Sequence, residues 1–245
     1  ILSNNNLEAL EGYSFNKLKQ LKHLDLSNNP LVQITRDVFM DELALSFLNL
    51  RNTSLRKIEG NTFKSLQNLN ELNLEMNHLS PADVQKLEVS SLHSLHLSHN
   101  NFSHVGAGGI MAGMFDKMRS LQQLNMANCS LNSIPDQLFS KNTNLVKIDL
   151  CDNLMVVLNR NVFSGLSVFK ELRLCRNNLQ EFPHIALYNL SSLEILDLSR
   201  NQLSSIDFYK LSGTLNLRQL NLKENKINSL SGFNSVNLTQ LDIVD

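Results

Sequence analysis

Three cysteines, seven histidines and an even balance of 22 cations against 23 carboxylates are the raw material for chemistry in this chain of 245 residues. Cys151 and Cys175 lie 24 positions apart, and Cys129 stands 22 before the first of them. His93, His96, His99 and His104 fall within twelve residues. No CxxC or HExxH occurs, no Cys-His nucleophile arrangement is readable, and the histidine group lacks a third convergent ligand for a metal. Gly106 to Met114 is rich in glycine and methionine and carries no charge. It lacks the Lys-Ser/Thr ending of a phosphate loop and has no strand-to-helix context, so nucleotide binding is rejected. The chemistry on offer is therefore contact chemistry: charge pairs, a titratable imidazole cluster, exposed aromatics and thiols. No enzyme, no cofactor and no metal is expected.

What positions these residues is a repeat. Leu193 to Asn201 reads L-E-I-L-D-L-S-R-N, continued by Leu203 and Ile206. The pattern LxxLxLxxNxL recurs from Leu21, Leu45, Leu69, Leu92, Leu121, Leu145, Phe169, Leu193, Leu217 and Leu238, mostly at steps of 24 residues. Such a period marks a solenoid. Alternation along a strand turns Leu196 and Leu198 inward and Ile195, Asp197 and Ser199 outward. One strand cannot bury its apolar face alone, but parallel stacking at about 4.8 Å per rung builds a continuous core. The expected architecture is a horseshoe with a parallel concave sheet and a mostly irregular convex side. It forms one domain over 1–245 of about ten repeats.

After each strand comes Asn29, Asn77, Asn100, Asn153, Asn177, Asn201 or Asn225. An asparagine at a sharp turn bonds backbone groups that the turn leaves unpaired, so stacked copies predict an interior ladder. Thr53 and Cys129 hold the slot in two repeats as weaker rungs. On the return half, Phe15, Phe39, Phe63, Phe139 and Phe163 predict a stacked aromatic spine, with Leu87, Leu187 and Leu211 as substitutes.

A net charge of −1 argues against nucleic-acid binding by bulk electrostatics. No apolar run reaches the length of a membrane span, and no signal peptide is readable. The first residues read as the tail of a repeat and the last ones stop inside a strand. Neither end shows the cap that a solenoid core needs, so an uncapped piece of a longer chain is expected.

The unit LxxLxLxxNxLxxIxxxxFxxLxxL resembles the typical leucine-rich repeats of animal extracellular proteins. It is most similar to Toll and Toll-like receptor ectodomains and to chaoptin-like neuronal adhesion proteins. The glycine-proline signature of plant repeats is absent, and the return segments are too short for the ribonuclease-inhibitor type. The resemblance implies an extracellular or secreted location and recognition of a protein ligand or co-receptor on the concave face or a flank, often with homodimerisation. The alternatives are homophilic adhesion and an intracellular scaffold.

The repeat frame assigns candidate contact residues. Phe47 faces solvent from its strand, as a stray aromatic or as an anchor for a protein partner. His96 faces out and His99 sits just past the strand end. They are either solvated or a pH-sensitive contact, since imidazole titrates near endosomal pH. The repeat from Leu92 is 29 residues long. Its surplus, with Ile110, Met111 and Met114, is a projecting contact loop or tolerated drift. Lys147, Lys170, Arg173, Arg176 and Arg200 gather on three successive strands, with Asp149 and Asp197 beside Arg173. They form either a self-neutralising ladder, or a net basic strip at Arg176 and Arg200 for an acidic protein ligand. Cys151 and Cys175 occupy one place in adjacent repeats, at the concave surface, about 5 Å apart. A rung-to-rung disulfide, two free thiols and pairing to another chain all remain open. The odd cysteine count leaves at least one thiol without an internal partner. Five N-glycosylation acceptors occur, at Asn52, Asn101, Asn128, Asn189 and Asn237. Random placement would give a similar number. Asn101 and Asn189 are the first choices for sugar, while Asn128 adjoins the Cys129 slot.

Overall fold

Leucines two apart with polar residues between them make short strands, and here each strand is only three residues long. A computed structural model describes residues 1–40, 43–103, 110–232 and 238–242. Ten strands form one sheet: β1 (His23–Asp25), β2 (Phe47–Asn49), β3 (Glu71–Asn73), β4 (Ser94–His96), β5 (Gln123–Asn125), β6 (Lys147–Asp149), β7 (Glu171–Arg173), β8 (Ile195–Asp197), β9 (Gln219–Asn221) and β10 (Gln240–Asp242). Every neighbour is parallel and follows in sequence order, so the chain winds as a solenoid. The register places equal repeat positions side by side: Leu24 meets Leu48, Leu124 meets Ile148 and Leu172 meets Leu196. These leucines are buried and belong to one continuous cluster.

The return side carries two short helices, α1 (Pro81–Gln85) and α2 (His184–Leu187), and otherwise mostly turns. The α1 start is held by Asp83, whose carboxylate accepts the Ser80 N–H at 3.2 Å and pairs with Lys86 at 3.0 Å. The phenylalanine spine lies beneath these turns. Phe15, Phe39 and Phe63 follow one another at 5.7 and 5.8 Å between ring centroids. Phe115, Phe139 and Phe163 continue at 5.9 and 6.3 Å. Buried Leu87 substitutes where a ring is missing.

The asparagine ladder runs through the interior. Asn177 Nδ2 donates to Leu150 O at 3.0 Å and Leu174 O at 3.0 Å, while its Oδ1 accepts the Met155 N–H at 3.2 Å. Asn77, Asn100, Asn153, Asn201 and Asn225 likewise tie the preceding rung's carbonyl to their own. Thr53 keeps the bond to its own repeat, Oγ1 to Leu50 O at 2.7 Å, but offers no amide oxygen across the rung. The Leu31 N–H turns back to Asn29 O at 2.9 Å instead, and Val32 is driven to φ 58°. A β-branched residue in that region is a genuine outlier. Cys129 Sγ reaches Leu97 O at 3.3 Å. Its thiol is a free cysteine pushed up to about 12 by burial.

Two further columns border the sheet. The last strand position is mostly Asp or Asn, and its side chain accepts the N–H two residues on. Examples are Asp25 to Ser27 at 2.9 Å, Asn73 to Glu75 at 3.0 Å, Asp149 to Cys151 at 3.0 Å and Asp197 to Ser199 at 2.9 Å. This turn draws the accepted residue inward, so Ser199 is buried rather than outward-facing. Three residues beyond the strand, just before the ladder slot, sit Asn28, Asn52, Met76, His99, Asn128, Asp152, Arg176, Arg200 and Glu224. All of them have φ between 50 and 59°. Each repeat therefore leaves its strand through one left-handed residue, a conformation that Asn tolerates better than most side chains do.

Candidate recognition surface

The concave face presents the first and third residue of each strand. On and beside β6 and β7 each of three cations has a carboxylate partner. Lys147 pairs with Glu171 at 3.1 Å, Lys170 with Glu194 at 2.9 Å, and Arg173 with Glu171 at 2.7 Å. Arg176 is bound by Asp152 through Nη2 at 2.8 Å, and Arg200 by Glu224 at 2.6 Å. The net basic strip at Arg176 and Arg200 is thus corrected: each guanidinium has a carboxylate one repeat away. The Asp152 bond holds Arg176 above the usual guanidinium range. Asp149 and Asp197, the anions expected to balance Arg173, spend an oxygen on their own backbone. Burial raises Asp149 above the ordinary aspartate value, against the Cys151 N–H and the nearby Arg173 and Lys147.

Arg173 also breaks the turn column, because it cannot accept the Cys175 N–H. That N–H goes to Cys151 Sγ at 3.2 Å. The two cysteines are joined in a disulfide with Cα atoms 4.5 Å apart. Both are buried, correcting their expected place on the concave surface. For Cys151 the reason is the inward turn that also buries Ser27 and Ser199 at this repeat position, and Cys175 is drawn in beside it by its N–H bond to Cys151 Sγ and the disulfide.

The N-terminal half differs. Phe47 is half-buried, with its ring 5.9 Å from that of His23. In register beside it stands Glu71. Glu75, largely buried, gathers Arg51 and the Asn125 amide, whose Nδ2 lies 3.2 Å from Oε1. His96 lies between the two glutamates, with Nε2 3.6 Å from Glu71 and Nδ1 3.9 Å from Glu75; Ser94 Oγ lies 3.0 Å from Nε2. Among the described residues Glu71 has no lysine or arginine partner.

The long repeat is only partly a surface feature. Met114 is buried against the core and precedes Phe115, which enters the aromatic spine, so Met114 is withdrawn from the contact surface. Ile110 packs partly on the core, and Met111 stays exposed. His104 and Asn237 lie outside the described residues. Asn52 and Asn128 occupy the left-handed rim, where Asn52 Nδ2 donates to Asn28 Oδ1 at 2.9 Å and Asn128 Nδ2 lies 2.9 Å from His99 Nδ1. A sugar on either nitrogen would displace that contact. Asn101 and Asn189 are exposed. Among the described residues no group of three His, Cys, Asp or Glu side chains is arranged to hold a metal, and no helix is long and apolar enough to cross a membrane.

Family models agree with this architecture. A leucine-rich-repeat model matches residues 1–55, 119–172 and 167–227, and a second one matches 91–112. The chain belongs to the leucine-rich-repeat family. Its solenoid is similar to that of Toll in the Drosophila Toll–Spatzle complex, at 25% identity and TM-score 0.84, over 99% of this chain and 32% of that one. It also matches Toll-like receptor TLR13 in a complex with ssRNA13 at 20% identity and TM-score 0.68, covering 94% of this chain and 42% of that one. The leucine-rich-repeat domain of APL1 matches at 23% identity and TM-score 0.70, covering 94% of this chain and 56% of that one. The chain thus spans from just under a third to little more than half the length of these neighbours. No curated protein matches it. As a leucine-rich-repeat chain resembling Toll and Toll-like receptor ectodomains, it is a protein-interaction domain.

Proposed function

We propose that this chain is the recognition segment of a Toll-like receptor ectodomain, facing the extracellular space or the endosomal lumen and binding a protein ligand on its concave face. The observation that carries this reading is the match to Toll over 99% of the chain at TM-score 0.84, with the repeat register unbroken from β1 to β10. Toll is matched in a complex with the protein Spatzle and TLR13 in a complex with RNA. Here a net charge of −1 and the paired cations of the C-terminal half favour a protein over a polyanion. Surface-membrane attachment, glycosylation and self-association belong to the same proposal.

The test is a binding screen of the multimerised chain against a panel of secreted and cell-surface ectodomains, with single-stranded RNA as a parallel probe. A protein hit that is lost when Gln123 and Gln219 are changed to Arg on the concave face, and kept when Asn144 is changed on the return side, is the expected result. Binding to RNA alone, or a hit indifferent to the concave changes, contradicts the reading.

A further inference from the structure

The two halves of the concave face differ in whether their charges are spent. On β6 to β8 every cation has its carboxylate. On β1 to β4 the accounts of the anions separate them. Asp25 Oδ1 takes both the N–H and the hydroxyl of Ser27, at 2.9 and 2.7 Å. Glu75 is neutralised by Arg51 and further bonded by Asn125. Glu71 remains, with 39% of its side chain exposed and only neutral Ser94 and the His96 ring near it on the β4 side. On its other side the register sets Phe47, whose ring leans on His23. A carboxylate without a cation, one rung of about 4.8 Å from an aromatic ring, is the arrangement that receives an ammonium or guanidinium. The carboxylate supplies a charge-assisted hydrogen bond, and the ring face supplies a cation–π contact.

We infer that Glu71 and Phe47 form a socket for a lysine or arginine side chain of a protein ligand, and that protonation of His96 closes it. This deepens the proposed recognition role and rests on it. The groups facing His96 are Glu71 and Glu75 from the β3 repeat, with Arg51 behind Glu75. From β5 only uncharged Gln123 and Asn125 face it. His23, beyond Phe47, is the other imidazole bordering the socket. When His96 carries a proton, its Nε2–H becomes the cation that Glu71 lacks, and the ligand's cation must compete with it. Acid favours the protonated ring, so the expected direction is weaker binding on acidification. The same socket repels phosphate, which separates a basic peptide segment from RNA as its occupant.

The experiment uses an unbiased heptapeptide phage library panned on the folded chain at pH 7.4, after which the dominant peptide is synthesised and titrated by calorimetry. The expected winners carry Lys or Arg. Glu71→Gln should weaken the synthetic peptide about tenfold or more, and Phe47→Ala several-fold. The thermal melt of Glu71→Gln should be unchanged, while Phe47→Ala, which loses a half-buried ring, is titrated well below its own melting temperature. Lowering the pH to 5.5 should weaken binding to the unmodified chain about tenfold and leave His96→Gln unaffected. Enrichment of acidic or uncharged peptides overturns the socket while leaving peptide recognition intact. Basic peptides indifferent to Glu71→Gln overturn it equally, and pH dependence removed by His23→Gln rather than His96→Gln overturns the gate. If no peptide is enriched, both the socket and recognition of short segments fail together.

Discussion

Replacing Asn177 by Ala should break one rung of the interior ladder and destabilise the solenoid. The Asn177 amide answers three buried backbone atoms at once: Leu150 O, Leu174 O and the Met155 N–H. A buried backbone group left without a partner costs about 1–3 kcal/mol. Leu150 O and Leu174 O each keep a second amide donor, from Asn153 and Asn201, so the Met155 N–H is the group orphaned and the expected cost is about 1–3 kcal/mol. The chain itself supplies the graded controls. Thr53 retains the bond to its own repeat, Oγ1 to Leu50 O at 2.7 Å, and Cys129 keeps a sulfur contact of 3.3 Å to Leu97 O. Asn177→Thr, which keeps the bond to its own repeat, should therefore cost less than Asn177→Ala. Urea unfolding followed by circular dichroism measures the totals, and hydrogen exchange at the Met155 amide reports the broken rung directly. A loss below about 0.5 kcal/mol for Asn177→Ala, or a Met155 amide as protected as before, would refute the interior ladder as a source of stability.

Met76→Asn should stabilise by on the order of 1 kcal/mol, because Met76 sits at φ 54° in a column whose other members include Asn28, Asn52 and Asn128; a denaturation midpoint that falls contradicts this. Cys151→Ser with Cys175→Ser opens a loop of 24 residues and should cost about 3 kcal/mol by loop entropy, read by unfolding in non-reducing buffer. The Cys129 thiol, pushed to about 12 by burial, should resist iodoacetamide at pH 8 until the chain is unfolded. Asp149 is raised by burial, so its favourable contribution is present below the unfolded aspartate range and is lost as pH rises through its folded value. Asp149→Asn keeps an acceptor for the Cys151 N–H, as Asn73 does for Glu75. It should be at least as stable as the parent at pH 7, with the difference vanishing as pH falls below about 4; a larger gap at acid pH contradicts the sign.

The strands, ladder and spine were legible because they repeat residue types at one period. Ladder asparagines and spine phenylalanines need only be counted along the chain. Of the two charge readings that the sequence leaves open, the structure favours the self-neutralising ladder over the basic strip at Arg176 and Arg200. The column of Asp149 and Asp197 does not supply their carboxylates, because backbone donors take an oxygen of each. The partners that form, Asp152 and Glu224, are 24 positions from their arginines at the same repeat place, a signal the sequence does contain. The left-handed rim was hidden because Met76, His99 and Arg176 carry no residue-type mark of positive φ. The burial of Cys151 and Cys175 was missed for a related cause, since strict alternation sends them outward, whereas the turn after a three-residue strand sends Cys151 in and the disulfide draws Cys175 in beside it. Met114 was read from the composition of its loop, whereas its position directly before Phe115 ties it to the spine.

Peptide mapping of the endogenous protein under non-reducing conditions, with and without glycan removal, tests the extracellular recognition role most directly. The expected map links Cys151 to Cys175, leaves Cys129 free, and carries sugar at exposed Asn101 or Asn189 in preference to Asn52 and Asn128. A map with all three thiols reduced and every mapped acceptor bare would contradict a receptor ectodomain.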